Sequence, residues 1–111
     1  MAKLQVPTGQ GIRLVNAPTD AVPGLGGERG SDAGAVMVFV RSSEELARHL
    51  TVIVEAGRAD RLTWVAYPKA GQLGTDLNRD RLAALLHGHG VRPVRQVALD
   101  GTWSALRFRP A

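Results

Sequence analysis

A chain of 111 residues with 44% hydrophobic and 22% charged side chains is long enough to bury one hydrophobic core, and predicts a single domain over 1–111. The absence of cysteine excludes disulfide bonds, thiolate metal sites and a cysteine nucleophile. The first residues lack the apolar run of a signal peptide, and no segment approaches the roughly 20 apolar residues of a membrane-spanning helix. We therefore expect a cytoplasmic protein.

The net charge of +4 is unevenly distributed along the chain. Residues 1–57 carry five basic and six acidic side chains, whereas residues 58–111 carry nine basic and four acidic ones. Twelve of the fourteen basic residues are arginine. The pattern has two interpretations: the codon usage of a high-GC genome, or an anionic partner for the second half of the chain.

The first third of the chain predicts little regular structure. Residues 1–10 are polar and predict an N-terminal tail. A short strand follows over 12–17 and is ended by Pro18. Residues 18–35 contain five glycines and two prolines, and predict a glycine-rich loop that is unusually long for a compact domain.

The middle of the chain alternates between strand and helix patterns. Residues 36–40 are five consecutive apolar residues, which indicates a strand covered on both faces. Ser42 and Glu45 form a capping-box pattern that begins a helix, and the helix extends to about Ala56 with Gly57 as its stop. A third strand is predicted over 62–67.

The last third predicts one more helix and a hairpin. Thr75 or Asp76 is the expected cap of the second helix, whose apolar stripe includes Leu82 and Leu86. Residues 91–99 predict a strand weakened by Pro93, and Asp100-Gly101 is a strong hairpin signal. The returning strand is expected over 103–109.

This order predicts a small Rossmann-like α/β domain with a mostly parallel five-stranded sheet, two helices and a C-terminal antiparallel hairpin. If the strands follow one another across the sheet, right-handed crossovers place both helices on the same face. The opposite face is also apolar and needs a cover. A second copy of the chain, residues 1–10 and the glycine-rich loop are the candidates. We expect a homo-oligomer formed through this helix-free face.

Three short strings of the chain are distinctive: Trp64-x-Ala66-Tyr67-Pro68-Lys69, Thr75-Asp76-Leu77-x-Arg79 and Val97-Ala98-x-Asp100-x-x-Trp103-Ser104-Ala105-Leu106-Arg107-Phe108. Together they resemble a family of small bacterial proteins of unknown function. The resemblance covers roughly residues 11–110 and implies no activity. The order of elements is also similar to the C-terminal half of a class I methyltransferase. It departs from that fold at Asn16-Ala17-Pro18, where a methyltransferase has a glycine-rich turn for its cofactor.

The usual catalytic and cofactor motifs are missing from the sequence. The segment 24–30 is glycine-rich, but it fails the dinucleotide pattern at Arg29, and no Gly-Lys-Ser/Thr string forms a P-loop. His87 and His89 are two residues apart near a helix end, which points them to different sides. No serine has the local pattern of an activated nucleophile. We expect no metal and no cofactor.

Ligands of open parallel sheets bind beyond the carboxyl ends of the strands. The polar residues expected at that edge are Asn16, Arg41, Tyr67, Lys69, Thr75, Asp76 and Arg79, with Trp103 opening the returning strand beside them. Arg41, Lys69 and Arg79 together suit a small anion. The alternative is structural: Asp76 caps the helix, Arg79 pairs with Asp76 or Asp80, and Lys69 is solvated.

Three functions remain open from the sequence. The first is a non-catalytic domain that binds a small anionic ligand or a protein partner at the strand ends. The second is a vestigial or partner-dependent transferase. The third is weak nucleic-acid binding through Arg92, Arg95, Arg107 and Arg109, with Trp103 as a stacking surface. An aromatic content of 5% and the lack of any known motif argue against nucleic acid.

Overall fold

The computed structural model describes residues 12–16, 35–69, 71–72, 74–99 and 101–111. The tail predicted over 1–10 and residues 18–34 of the predicted glycine-rich loop lie outside these residues. In chain order the elements are β1 (Ile12–Val15), β2 (Ala35–Phe39), α1 (Ser43–Arg48), α2 (Leu50–Arg58), β3 (Leu62–Pro68), α3 (Arg79–Leu86), β4 (Val91–Ala98) and β5 (Trp103–Pro110). The predicted α/β class is confirmed.

The described strands form one mixed sheet in the order β1-β2-β3-β5-β4. β1, β2 and β3 are parallel, whereas β5 pairs antiparallel with both β3 and β4. The prediction of a mostly parallel sheet is therefore wrong. β5 is largely buried and suits an interior position. β4 carries Arg92, Pro93 and Arg95, residues typical of a sheet edge, and its pairing is irregular between Pro93 and Arg95.

The single helix predicted after β2 is two helices, so the described chain has three helices rather than two. Ser42 caps α1 as predicted, because its hydroxyl accepts a hydrogen bond from the Glu45 N–H. The break falls at His49, which ends α1 and precedes α2. Gly57 lies inside α2 and does not stop it. There it lets the helix approach β4 closely, since a Cβ at this position would lie 2.6 Å from Val91 Cγ1.

The sheet separates two apolar clusters. The helix-covered cluster joins Val38 and Val65 of the sheet to Ile53 and Leu82 of the helices. The helix-free cluster contains Ala35, Met37, Phe39, Trp64, Ala66, Val97, Trp103 and Ala105, none of which lies on a helix. All of these side chains are nevertheless buried within the single chain. The self-association predicted through this face stays a prediction.

Because α2 approaches β4 closely, Gly57→Ala should destabilise the fold, although a change from glycine to alanine usually stabilises a helix. In an ordinary helix this change stabilises by about 1 kcal/mol, but overpacking against a β-branched side chain costs about 1–3 kcal/mol. We expect a net loss of about 1 kcal/mol in the free energy of unfolding, measured by urea denaturation. Gly101→Ala is the control, because no heavy atom lies within 4 Å of its would-be Cβ. Stabilisation by Gly57→Ala would contradict the close contact.

Candidate functional site

Four described strands end at one edge of the sheet. β1, β2 and β3 are parallel, and β4 has the same direction because β5 is antiparallel to both β3 and β4. We call this edge the carboxyl edge. It is formed by the ends of these strands and by the start of β5 at Trp103. Tyr67 lies near the end of β3, and the other seven predicted site residues follow these strand ends, lie in the connection after β3, begin α3 or open β5.

Asn16 and Arg41, which follow β1 and β2, are both held by Glu45. The Asn16 amide donates to the Phe39 carbonyl at 2.8 Å and to Glu45 Oε1 at 3.0 Å. Arg41 donates from its backbone N–H to Glu45 Oε1 at 3.2 Å and from Nε to Oε2 at 3.1 Å. Asn16 has a φ of 59°, a left-handed conformation that asparagine tolerates better than most residues. Glu45 thus fastens two strand ends to the start of α1.

The pKa of Glu45 is lowered despite its partial burial. Burial by itself raises this pKa, but the Arg41 backbone N–H, the Arg41 guanidinium charge and the Asn16 amide act together in the opposite direction. The carboxylate is therefore ionised at neutral pH and neutralises Arg41. An incoming anion would have to compete with this carboxylate for Arg41, so Arg41 is not a ready anion-binding group.

Asp76 connects the segment after β3 to α1. Its carboxylate accepts from the Ser43 backbone N–H at 2.9 Å and from the Ser43 hydroxyl at 2.5 Å. These two hydrogen bonds lower the pKa of Asp76, and the charge of Arg81, whose Nη2 lies 3.6 Å from Asp76 Oδ2, acts in the same direction. Asp76 therefore binds the first residue of α1.

The predicted cap of the second helix is wrong. Neither Thr75 nor Asp76 caps α3; the cap is Asn78, whose side chain accepts from the Arg81 N–H at 2.8 Å. Thr75 instead accepts from the Leu77 N–H at 3.0 Å and shapes the turn before the helix. The helix begins at Arg79, later than its sequence pattern indicates, and Asp76 binds Ser43 instead of capping it.

Tyr67, Lys69 and Arg79 form the remaining polar group at this edge. The Tyr67 side chain is buried, and its hydroxyl accepts from Gln96 Nε2 at 2.7 Å. Lys69 donates its backbone N–H to the Thr102 carbonyl at 2.7 Å, which extends the β3–β5 pairing by one residue. Side chains two residues apart on an extended strand point to the same face, so Lys69 lies on the side of Tyr67.

Arg79 is close enough to Tyr67 to affect its ionisation. Burial raises the pKa of the Tyr67 hydroxyl, and the positive charge of Arg79 partly offsets this. The hydroxyl is therefore protonated at neutral pH. The Arg79 guanidinium is half-exposed and lies 3.4 Å from Asp80, whose side chain is 93% exposed. An exposed ion pair of this kind is screened by water and salt, and it contributes little to the stability of the fold.

Trp103 is not an open surface of the site. Its side chain is 6% exposed and packs edge-on against Phe39, with ring centroids 5.3 Å apart and an interplanar angle of 78°. It belongs to the helix-free cluster. The indole therefore contributes core packing rather than a surface for stacking.

The sequence does not predict the contacts of three residues at the carboxyl edge, which are Ser43, Glu45 and Gln96. The sequence predicts Glu45 only as the third residue of a capping box, but its carboxylate joins the ends of β1 and β2 to α1. Ser43 and Gln96 are 33 and 29 residues from their partners Asp76 and Tyr67. No local signal marks such contacts, because they depend on how distant elements meet.

Within the described part of the chain, no group of three or more His, Asp or Glu residues could hold a metal ion. None of the described helices is long and apolar enough to cross a membrane. No family model, no curated protein and no solved structure matches the chain. The resemblances drawn from the sequence strings therefore stay predictions.

Because hydrogen bonds lower the pKa of Asp76, the free energy of unfolding should depend on pH in the acid range. A carboxylate whose pKa is lower in the folded state stabilises the fold above its unfolded pKa of about 4, and this stabilisation is lost as the pH falls through the lower folded value. Asp76→Asn should therefore be less stable than the wild type at neutral pH and show a smaller loss of unfolding free energy below about pH 4. Urea denaturation at several pH values measures both.

Asp80→Asn is the matched control for this change. Its carboxylate is 93% exposed and contacts only Arg79 among the described ion pairs. The control should keep the acid dependence of the wild type. Parallel wild-type and Asp76→Asn curves across the acid range would show that the Ser43–Asp76 contact does not stabilise the fold.

Proposed function

We propose that this chain is a non-catalytic, Rossmann-like binding domain that holds a small anion between Lys69 and Arg79 at the carboxyl edge. Support for the fold comes from the parallel β2–helix–β3 unit and from helices gathered on one face of the sheet. Ligands of such sheets bind outside the carboxyl ends of the strands. Lys69 and Arg79 lie at that edge.

The observation that carries the proposal is the unequal neutralisation of the basic side chains. Arg41 is bound by Glu45 at 3.1 Å, and Arg81 lies beside Asp76. In contrast, no ion pair joins Lys69 to another described residue, and Arg79 has only its exposed neighbour Asp80. Among the described residues, two positive charges therefore remain available at the carboxyl edge, one after β3 and one at the start of α3.

An arginine fork and a lysine charge suit the oxygens of a phosphate or carboxylate group. Tyr67 lies close to Arg79, but it is 2% exposed and its hydroxyl accepts a hydrogen bond from Gln96. We therefore assign the anion to Lys69 and Arg79 and not to the buried phenol.

Thermal denaturation in the presence of anions tests this proposal. Inorganic phosphate, AMP and ADP are the probes. A ligand present at ten times its dissociation constant stabilises the fold by about 1.4 kcal/mol, which raises the melting temperature of a domain of this size by roughly 4–8 °C. We expect such a rise with at least one probe, and its loss in Lys69→Gln and in Arg79→Gln.

Arg48→Gln is the matched control, because it removes one exposed arginine that pairs with Glu44 within α1. It should keep the ligand-induced rise. A rise that survives in both Lys69→Gln and Arg79→Gln would place the anion elsewhere, and no rise with any of the three probes would overturn the proposed phosphate ligand.

A further inference from the structure

The β4–β5 hairpin carries four arginines in two facing pairs. Arg92 is the register partner of Arg109, and Arg95 is the register partner of Arg107. We call these four residues the arginine grid. Arg107 and Arg109 continue the alternation of Trp103 and Ala105 along β5, so the grid lies on the helix-free face. It occupies the end of the hairpin opposite to the carboxyl edge.

The grid is an unfavourable arrangement for the isolated fold. Like charges that face each other across an antiparallel ladder destabilise it. Partial burial and the charges of Arg109 and Arg95 lower the pKa of Arg107, while Asp60 acts in the opposite direction. Asp60 is the acidic neighbour of the grid, and its carboxylate lies 3.3 and 3.4 Å from Nε and Nη2 of Arg109. Of the ion pairs between described residues, this one contacts the arginine grid.

The grid is also accessible. Arg92, Arg95 and Arg109 are exposed, and Arg107 is partly exposed. Facing residues of an antiparallel pair have Cβ atoms about 5 Å apart, and alternate residues along a strand, such as Arg107 and Arg109, are about 7 Å apart. Arg92 and Arg95 are three residues apart, with the irregular pairing of β4 between them. The four charges are therefore spread over two neighbouring strands, which suits a ligand with repeated negative charges better than a single small anion, which binds in a concave site.

A nucleic acid is a ligand with repeated negative charges, and the burial of the aromatic residues favours a duplex over a single strand. Proteins that bind single strands stack bases on exposed aromatic side chains. The chain has two Trp, one Tyr and two Phe residues. All five are 6% exposed or less. No aromatic ring is therefore offered to an unpaired base, which leaves contact with phosphates.

We propose that the arginine grid binds the phosphate backbone of a nucleic-acid duplex without reading its base sequence. Each guanidinium contacts phosphate oxygens through its fork of donors. The bound phosphates replace the repulsion between the arginine pairs by attraction. This site is separate from the one proposed at Lys69 and Arg79, so either can fail while the other holds.

Fluorescence anisotropy with a labelled DNA duplex of about 20 base pairs tests the proposal on the full chain. We expect a dissociation constant of about 1–100 µM, with a slope of log affinity against log salt near −3 for three to four phosphate contacts. Arg92→Gln with Arg95→Gln should lower the affinity at least about tenfold and reduce the slope by about 2.

Two further variants separate the grid from general charge and from folding. Arg48→Gln with Arg81→Gln removes the same charge from α1 and α3, and should keep the affinity within about twofold. Asp60→Asn removes the acid beside the grid and should tighten binding by roughly twofold or more. Asp60 has a φ of 59°, which asparagine also tolerates, so this variant keeps the backbone.

Three results would overturn the proposal. Equal losses in the two double variants would show attraction by net charge alone. Tighter binding of the unpaired single strand than of the duplex would show that bases are recognised. Binding to vesicles of phosphatidylglycerol and phosphatidylcholine that exceeds duplex binding and depends on Arg92 and Arg95 would assign the grid to a membrane surface.

Discussion

Strand β5 pairs antiparallel with β3 from Thr63↔Phe108 to Pro68↔Trp103, and with β4 on its other side. The remaining features depend on this double pairing. It places β5 in the interior of the sheet and β4 at its edge. It extends to Lys69 through the Thr102 carbonyl, and it brings Gln96 of β4 within hydrogen-bonding distance of Tyr67. At the other end of the hairpin the same register sets two pairs of arginines face to face.

Most polar side chains of the carboxyl edge form hydrogen bonds with other residues of the fold. Glu45 binds Asn16 and Arg41, and Asp76 binds Ser43, so these contacts tie the strand ends and the segment after β3 to α1. These contacts form when the chain folds, so the side-chain entropy that they cost is part of the free energy of folding. A ligand gains little from groups that are satisfied in this way. Among the described residues, no ion pair involves Lys69, and Arg79 pairs with the exposed Asp80 alone.

The two proposed sites differ in the cost that each places on the fold. Lys69 is partly exposed at a strand end and Arg79 is exposed at a helix start, where a charge costs the fold little. The arginine grid opposes the pairing of β4 with β5, because like charges face each other across the ladder. A charged edge strand also discourages pairing with other chains. That role requires charge at the edge strand β4, but it does not require arginines on the interior strand β5 directly opposite.

By itself the sequence determined the α/β class, the approximate position of each described strand, and the Ser42 cap, because periodicity and capping are local properties. The eight candidate residues follow from the rule that parallel strands end at a common edge. Only the tertiary structure decided that β5 inserts between β3 and β4, that Glu45 and Asp76 fasten the edge, and that Trp103 is buried. A local pattern says which residues alternate along a strand, but not which strand becomes its neighbour. The position of β5 between β3 and β4 determines both the surroundings of Tyr67 and the pairing of the arginines.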